Sequence, residues 1–508
     1  MLSSHDLSSN SQLFRRQSDF VASLAALSSA LPPLMREYDI KAEFRAVHDG
    51  LVIVDATRNE TSAYKLRGAL ASTYAAKQEG GTSVWTASAG NHGAGVAMAA
   101  KLLGLDATVY VPVTAPEVKV RNIKSFGARV VTIGYTFDEC LANAYEEQAL
   151  GTSKSTFIHP FDNLVVAAGQ GTLGLELFDH LTSRLKHQHP AAVRVFVPIG
   201  GGGLISGMAA TLRSVWNDSL PPLQIIGVVD ESSPASVVGT LFGRPVAALP
   251  DTVADGTRVA RVGQTFLDAS SLIDFIMPVP HDELVATMSR HYDQTKEALE
   301  PSGALALTGE ALVRQHKLLP QTSSSSHYAV VSGRNIDADT FTSLVSAPAR
   351  CCQRSHCRIA YQVRIPEQNG ELLHFLNTVP DFNIAGLTYK QRSGDPLGDL
   401  RVEFEVMNSQ AMNLHERLIG RYKNSVMLSS ARSLLLPVGE PVAKHYRDEL
   451  VTLEDRAGSF RDYIQGLHDG GTLGSVGFLF YRQPAQPGSK AQVVIGRAPA
   501  SPSGEVGG

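Results

Sequence analysis

Between residues 83 and 230 the sequence alternates short Val/Ile-rich runs with longer helical stretches, and no other feature restricts the fold as much. SVWTASAG gives way to GAGVAMAAKLLG, ATVYVPV to PEVKVRNIKSFG, and RVVTIG to TFDECLANAYEEQALG. RVFVPIGGGG then runs into LISGMAATLRSVW, and QIIGVVD follows as another short buried strand. Strands that are apolar on both faces and separated by helices imply parallel sheets covered by helices, an α/β fold. In such sheets ligands collect at the carboxyl ends of the strands. The glycine-rich pieces of this sequence fall at those ends.

Three of these pieces carry chemistry. SAGNHGAG (residues 88–95) joins a strand to a helix, where small residues allow close backbone approach and free N–H groups face an anion. PIGGGGLISG (residues 198–207) holds four consecutive glycines, more than a tight turn needs. Gly200, Gly201, Gly202 and Gly203 can present a fan of amides to a phosphate. No GK[ST] follows and the glycines are contiguous, which separates the run from a Walker loop and from G-x-G-x-x-G. VVSGRNID (residues 330–337) places Ser332 at a strand end, where its hydroxyl can bond a ring nitrogen in either protonation state. A fourth stretch, TSAYKLRGAL (residues 61–70), contributes Lys65. A lysine able to form a Schiff base, a phosphate cradle and a strand-end serine together suggest pyridoxal phosphate.

The remainder of the chain divides by composition. Its 508 residues exceed one ordinary core. Residues 1–35, Ser-rich with Arg15 and Arg16, read as a loosely packed N-terminal leader. Residues 36–345 form the catalytic domain, and 346–357 a linker. Cys351, Cys352 and Cys357 there flank His356 with poor zinc-ligand spacing, so reduced thiols are expected and no metal site is assigned. His159, His281 and His291 read as ordinary polar residues. Residues 358–496 contain an internal repeat. RIAYQVRIPEQNGELLHFLNTV and ELVTLEDRAGSFRDYIQGL share a strand, a glycine turn and a helix, with Tyr389-Lys390 matching Tyr481-Arg482. The second copy is shorter, and residues 497–508 are a Pro/Gly/Ser tail. A net charge of −4 opposes nucleic-acid binding. No apolar run approaches the ~18 residues of a membrane span. Four cysteines fit a reducing compartment, with the cytoplasm as default.

Tyr64-Lys65-Leu66-Arg67-Gly68-Ala69, SAGNHGAGVA, GQGTLGLEL, RVFVPIGGGGLISG, EPSGALAL and SGRN occur in this order. As a set they closely resemble the serine/threonine dehydratases of the tryptophan-synthase-β-like pyridoxal phosphate fold, over about residues 51–337. With the C-terminal repeat, the chain resembles threonine deaminases that carry ACT-like regulatory domains. The resemblance implies β-elimination from L-threonine, and from L-serine, to a 2-oxo acid and ammonia. Lys65 would hold the cofactor and shuttle the Cα proton. Asn91 would bond the cofactor's ring hydroxyl, Gly200 to Gly203 and Leu204 its phosphate, and Ser332 its pyridine nitrogen. Ser88, Ala89, Gly90, Asn91 and His92 would embrace the substrate carboxylate. An amino-acid effector at the C-terminal domain and a homo-oligomer, tetramer or dimer, are implied in the same way.

The sequence differs from a racemase relative at one point and from the family at three. Ala89 stands where related serine racemases carry a second serine, which disfavours racemisation. Ala63-Tyr64 replaces Ser-Phe before the lysine, no Thr-Pro-Leu segment is recognisable between Arg36 and Asn59, and Arg334 replaces the usual alanine of Ser-Gly-Ala-Asn. Two alternatives therefore stay open: replacement or elimination on another amino acid, and a degenerate regulatory paralogue without catalysis.

Overall fold

A computed structural model of the chain describes residues 17–346, with breaks at 49, 136, 151–154, 249, 251, 317 and 320–324. In the C-terminal part it describes residues 356–366, 371–380, 382–390, 397–407, 414, 417–418, 421, 426–429, 436–437, 447–453, 459–470, 476–482 and 491–497. The alternating region folds as two sheets. The smaller has four parallel strands in the order Arg129–Thr132, Asp106–Val111, Ser83–Ala87, Ser155–Phe157. The larger runs Glu43–His48, Leu51–Asp55, Ser326–Val331, Val193–Pro198, Leu223–Asp230, Phe275–Val279 and Leu436–Pro437. Its five inner strands are parallel and its two edge strands antiparallel. Leu51–Asp55 and Val193–Pro198 are buried along their whole length, as helices on both faces require.

Strand order positions the site. The chain leaves the large sheet after Asp55, builds the small sheet, and returns at Val193. The last parallel strand, Ser326–Val331, then slots between Leu51–Asp55 and Val193–Pro198. Three neighbouring strands thus release, at one edge, the loop before Lys65, the Ser332 loop and the glycine run. Such a change of strand order is where open α/β sheets bind ligands.

The expected leader is corrected over its second half. Gln17–Ala30 and Pro32–Glu37 are helices, and Phe20, Leu24, Leu27, Leu31 and Leu34 are buried in the same core as Leu66, Leu70 and Val166. Their helical spacing supplies an apolar face, and Gln17–Ala30 packs on the helices Leu164–Leu185 and Gly203–Val215. Residues 1–16, and Cys351 and Cys352 of the linker, lie outside the described residues; Cys357 already belongs to the strand His356–Pro366.

The C-terminal repeat forms one antiparallel sheet, ordered Val426–Ser429, His356–Pro366, Leu397–Met407, Asn383–Lys390, Val476–Arg482, Ala491–Arg497, Arg447–Leu453. The first copy has the split order fourth, first, third, second of a βαββαβ unit. The second contributes three described strands. At the seam Leu387 pairs with Tyr481 and Tyr389 with Leu479, the reciprocal register that two-fold-related repeats produce. Leu372, Phe375, Leu376, Phe460 and Ile464 fill the core beneath.

Candidate active site

Lys65 opens the helix Lys65–Gln78, an Ala-rich segment of high helix propensity that is buried almost throughout. The residues before it are strapped to the strand-end serine loop. Tyr64 N–H donates to the Ser332 carbonyl (3.1 Å), Arg334 N–H to the Ser62 carbonyl (3.0 Å), and Ala63 bridges Gly333. Asn335 Nδ2 adds a bond to the Thr61 carbonyl at 2.7 Å. The lysine is therefore held by backbone contacts whatever occupies the cleft. Its Nζ donates to the Pro160 carbonyl at 2.8 Å and lies 5.3 Å from the Tyr64 ring centre. Burial pushes the ammonium down to about 8, because a carbonyl and a ring replace water poorly as partners for a full charge. A lysine that deprotonates this easily suits attack on an aldehyde.

The small sheet supplies the facing wall. Ser83–Ala87 turns through residues 88–90 into the helix Asn91–Leu103, with Gly90 as its N-cap. Gly90 N–H donates to Ser88 Oγ (3.2 Å), and the first-turn amides have no intrahelical acceptor. His92 is buried, and its Nε2 meets the Ile158 carbonyl at 2.9 Å. Burial, then the nearby Lys65, pushes it down to about 3, so the ring stays neutral. Asn91 Nδ2 donates to Glu300 (2.7 Å), and its Oδ1 accepts from Asn335 Nδ2 (2.8 Å). Burial lifts Glu300 to about 7.

The glycine run lies between Val193–Pro198 and the helix Gly203–Val215. Gly202 caps that helix at φ 98°, in the left-handed region that favours glycine. The neighbours require glycine as well: a Cβ on Gly201 would lie 2.1 Å from Phe161 Cγ, and one on Gly202 2.3 Å from Phe266 Cβ. The amides at this helix start are free of intrahelical acceptors, and no cation stands among the four glycines. That fits an anionic phosphate held by main chain. Ser332 is buried, with Oγ 3.2 Å from the Ser302 carbonyl, to which it donates.

Lys65, residues 88–92, Gly200 to Leu204 and Ser332 thus all fall on loops or first helical turns at the carboxyl ends of the two sheets, and these residues fit pyridoxal phosphate. Sequence reasoning missed Glu300 and Asn335, although EPSGALAL and SGRN contain them. His159, read as an ordinary polar residue, holds the adjoining turn: its Nδ1 accepts from the N–H groups of Phe161 (3.2 Å) and Asp162 (2.7 Å). Burial, aided by Lys65 and opposed by Asp162, pushes that ring down to about 4. Arg334 is drawn to other partners than the neighbouring Ser332: its guanidinium is held by Thr57 Oγ1 (2.6 Å), Asp55 (2.5 Å) and Glu297 (3.1 Å). Among the described residues, no three His, Cys, Asp or Glu side chains are placed to hold a metal ion. No described helix is long and apolar enough to cross a membrane.

Comparison with known proteins agrees with this geometry. Residues 39–331 match the family described as "Pyridoxal-phosphate dependent enzyme". A biosynthetic L-threonine dehydratase of Pasteurella multocida is 35% identical over 340 residues, 66% of this chain and 62% of that protein. An L-threonine ammonia-lyase of Geobacter sulfurreducens is 34% identical over 353 residues, 68% of this chain and 82% of that protein. Among solved structures, the processed form of threonine deaminase isoform 2 from Solanum lycopersicum superposes with TM-score 0.57 at 29% identity, covering 65% of this chain and 93% of that one. The chain thus spans less than two thirds of the Pasteurella relative's length. A buried lysine on a helix, a cationless glycine cradle and a strand-end serine, on a scaffold shared with these proteins, place the chain in the pyridoxal-phosphate-dependent enzyme family.

Proposed function

We propose that the chain is an ammonia-lyase that converts L-threonine to 2-oxobutanoate and ammonia, with L-serine as a second substrate. The observation that carries this reading is Lys65, with its lowered proton affinity, between a cationless phosphate cradle and a helix start able to take a carboxylate. The cofactor, when bound, supplies the electron withdrawal that makes the amino acid's Cα–H acidic. Lys65 Nζ accepts the Cα proton and returns it. The first-turn amides of Asn91–Leu103, with Ser88, hold the carboxylate and fix which bond faces the lysine. Asn91 bonds the ring oxygen, and Gly200 to Leu204 the phosphate. Ser332 presents a neutral hydroxyl to the ring nitrogen, so the ring stays less protonated and elimination of the 3-hydroxyl outruns transamination. Ala89 offers no proton on the opposite face, which opposes racemisation. The names of the Pasteurella and Geobacter relatives support the choice of threonine.

The C-terminal sheet of two unequal βαβ units is the regulatory part of this reading: an ACT-like module that binds an amino-acid effector, in a cytoplasmic homo-oligomer. The deciding experiment incubates the cofactor-loaded protein with L-threonine, L-serine or diaminopropionate and identifies the keto product. Release of 2-oxobutanoate from threonine, abolished in Lys65→Ala, is the expected result. A protein that keeps its cofactor colour on threonine addition and releases no oxo acid overturns the reading in favour of a non-catalytic paralogue.

A further inference from the structure

The site holds a buried acid for which the scheme above has no use. Glu300 precedes the helix Pro301–His316 and is 9% exposed. Its Oε1 accepts from Asn91 Nδ2 at 2.7 Å, and the main-chain N–H of Asn335 donates to the same carboxyl. On the other side of the amide, Asn335 Nδ2 donates to Asn91 Oδ1 at 2.8 Å while also reaching the Thr61 carbonyl at 2.7 Å. A carboxylate only accepts and an amide nitrogen carries two hydrogens. The pair therefore fixes the Asn91 amide in one of its two orientations and leaves one Nδ2 hydrogen to give.

Gly333 makes this contact possible. A Cβ there would lie 1.7 Å from Glu300 Oε1 and 3.2 Å from Asn91 Nδ2. Gly333 is absent from the positive-φ glycines, so it is space rather than backbone freedom that glycine supplies at this position. Three separate stretches (the SAGN loop, the EPSG loop and the SGRN loop) converge on one amide.

We propose that Glu300 is the positioning residue of Asn91: it orients the amide so that the remaining Nδ2 hydrogen meets the ring oxygen of pyridoxal phosphate, and its charge is felt at that oxygen. The inference rests on the cofactor role of Asn91 in the reading above. Other charged and titratable groups facing Glu300 are Tyr64 from the lysine-bearing segment, Lys119 from the helix Glu117–Ser125 and Asp255 from the turn Asp255–Thr257. Lys119 and Asp255 pair with each other at 2.9 Å, so their charges offset one another. With burial holding the acid at about 7, its charge changes near neutral pH.

The test titrates apoenzyme with pyridoxal phosphate and no amino acid, by equilibrium dialysis and by the visible absorbance band, across pH 5.5 to 8.5. Wild type is expected to show a transition of the band near pH 7. Glu300→Gln keeps an accepting oxygen and loses the charge, so its affinity stays within about threefold of wild type while the transition disappears. Glu300→Ala removes the acceptor, and its affinity falls about tenfold. Gly333→Ala displaces the carboxyl with Glu300 intact and reproduces that loss. Melting curves report which variants fold; where Glu300→Ala or Gly333→Ala does not, the Glu300→Gln pH profile decides. A transition retained in Glu300→Gln, or wild-type affinity in a folded Glu300→Ala, overturns the proposal. Because no substrate is present, failure of the threonine reading leaves this titration unaffected.

Discussion

In the cofactor-free protein, Lys65 is expected to react as a neutral amine at far lower pH than other lysines. Its ammonium donates to one carbonyl, Pro160 at 2.8 Å, beside the Tyr64 ring, and burial lowers it from 10.5 to about 8. At pH 7 roughly one molecule in ten would carry the free amine, against roughly one in three thousand for a solvated lysine, a gain of about 300-fold. The assay acylates apoenzyme with acetic anhydride at low occupancy from pH 6 to 11 and reads each lysine-containing peptide by mass spectrometry. Fully solvated lysines in the same digest serve as internal standards for reagent decay. Normalised labelling of Lys65 should reach half its maximum near pH 8. Its neighbours shape the response: with Tyr64→Phe the aromatic wall remains and the midpoint should stay within about half a unit, since desolvation is the cause. A Lys65 midpoint above about pH 10 would show that water reaches the amine freely, and the account of the site as a desolvated chamber would fall.

Two further outcomes test other parts of the structure. Glu297 is hydrogen-bonded by Arg58, Arg334 and Arg45, which outweigh burial and hold its carboxyl at about 2. A depressed carboxylate stabilises above its unfolded pKa, and that contribution fades as pH falls toward the folded value. Glu297→Gln should therefore cost roughly 1 kcal/mol at pH 7, since solvent screens these partly exposed pairs, and progressively less as pH falls to 3; a gap between melting curves independent of pH would refute the linkage. Gly201→Ala places a methyl 2.1 Å from Phe161 Cγ in the run of four glycines. Overpacking of about 1–3 kcal/mol should lower the melting temperature, and cofactor affinity measured by dialysis should fall as the amides shift; wild-type values in both would show that the loop has slack.

Much of the scaffold is legible from residue order because the relevant signals are local. SVWTA, ATVYV and RVFVP read as buried strands, and each glycine-rich turn marks the passage from strand to helix. The helical face Phe20, Leu24, Leu27, Leu31 was equally present, but serine-rich surroundings masked it, and only the packed core shows that these side chains are covered. Arg334 illustrates a different limit. In sequence it stands two residues from Ser332, whereas Asp55, Thr57 and Glu297, from other parts of the chain, claim its guanidinium. Charge along a sequence does not say where a long side chain turns.

The sequence by itself determined the chemistry on offer: a lysine before a buried helix, a run of four glycines, a hydroxyl at a strand end, and two unequal repeats behind them. Each is a contiguous motif whose backbone demands are met within a few residues. Only the tertiary structure decided that Glu300 and Asn335 clasp Asn91 from opposite sides and that Pro160 receives the Lys65 amine. Those pairings depend on how strands are ordered in the two sheets, which joins loops 95 to 244 residues apart. Partners set by strand order leave no periodic trace in the chain, because sheet pairing is satisfied between segments rather than along them.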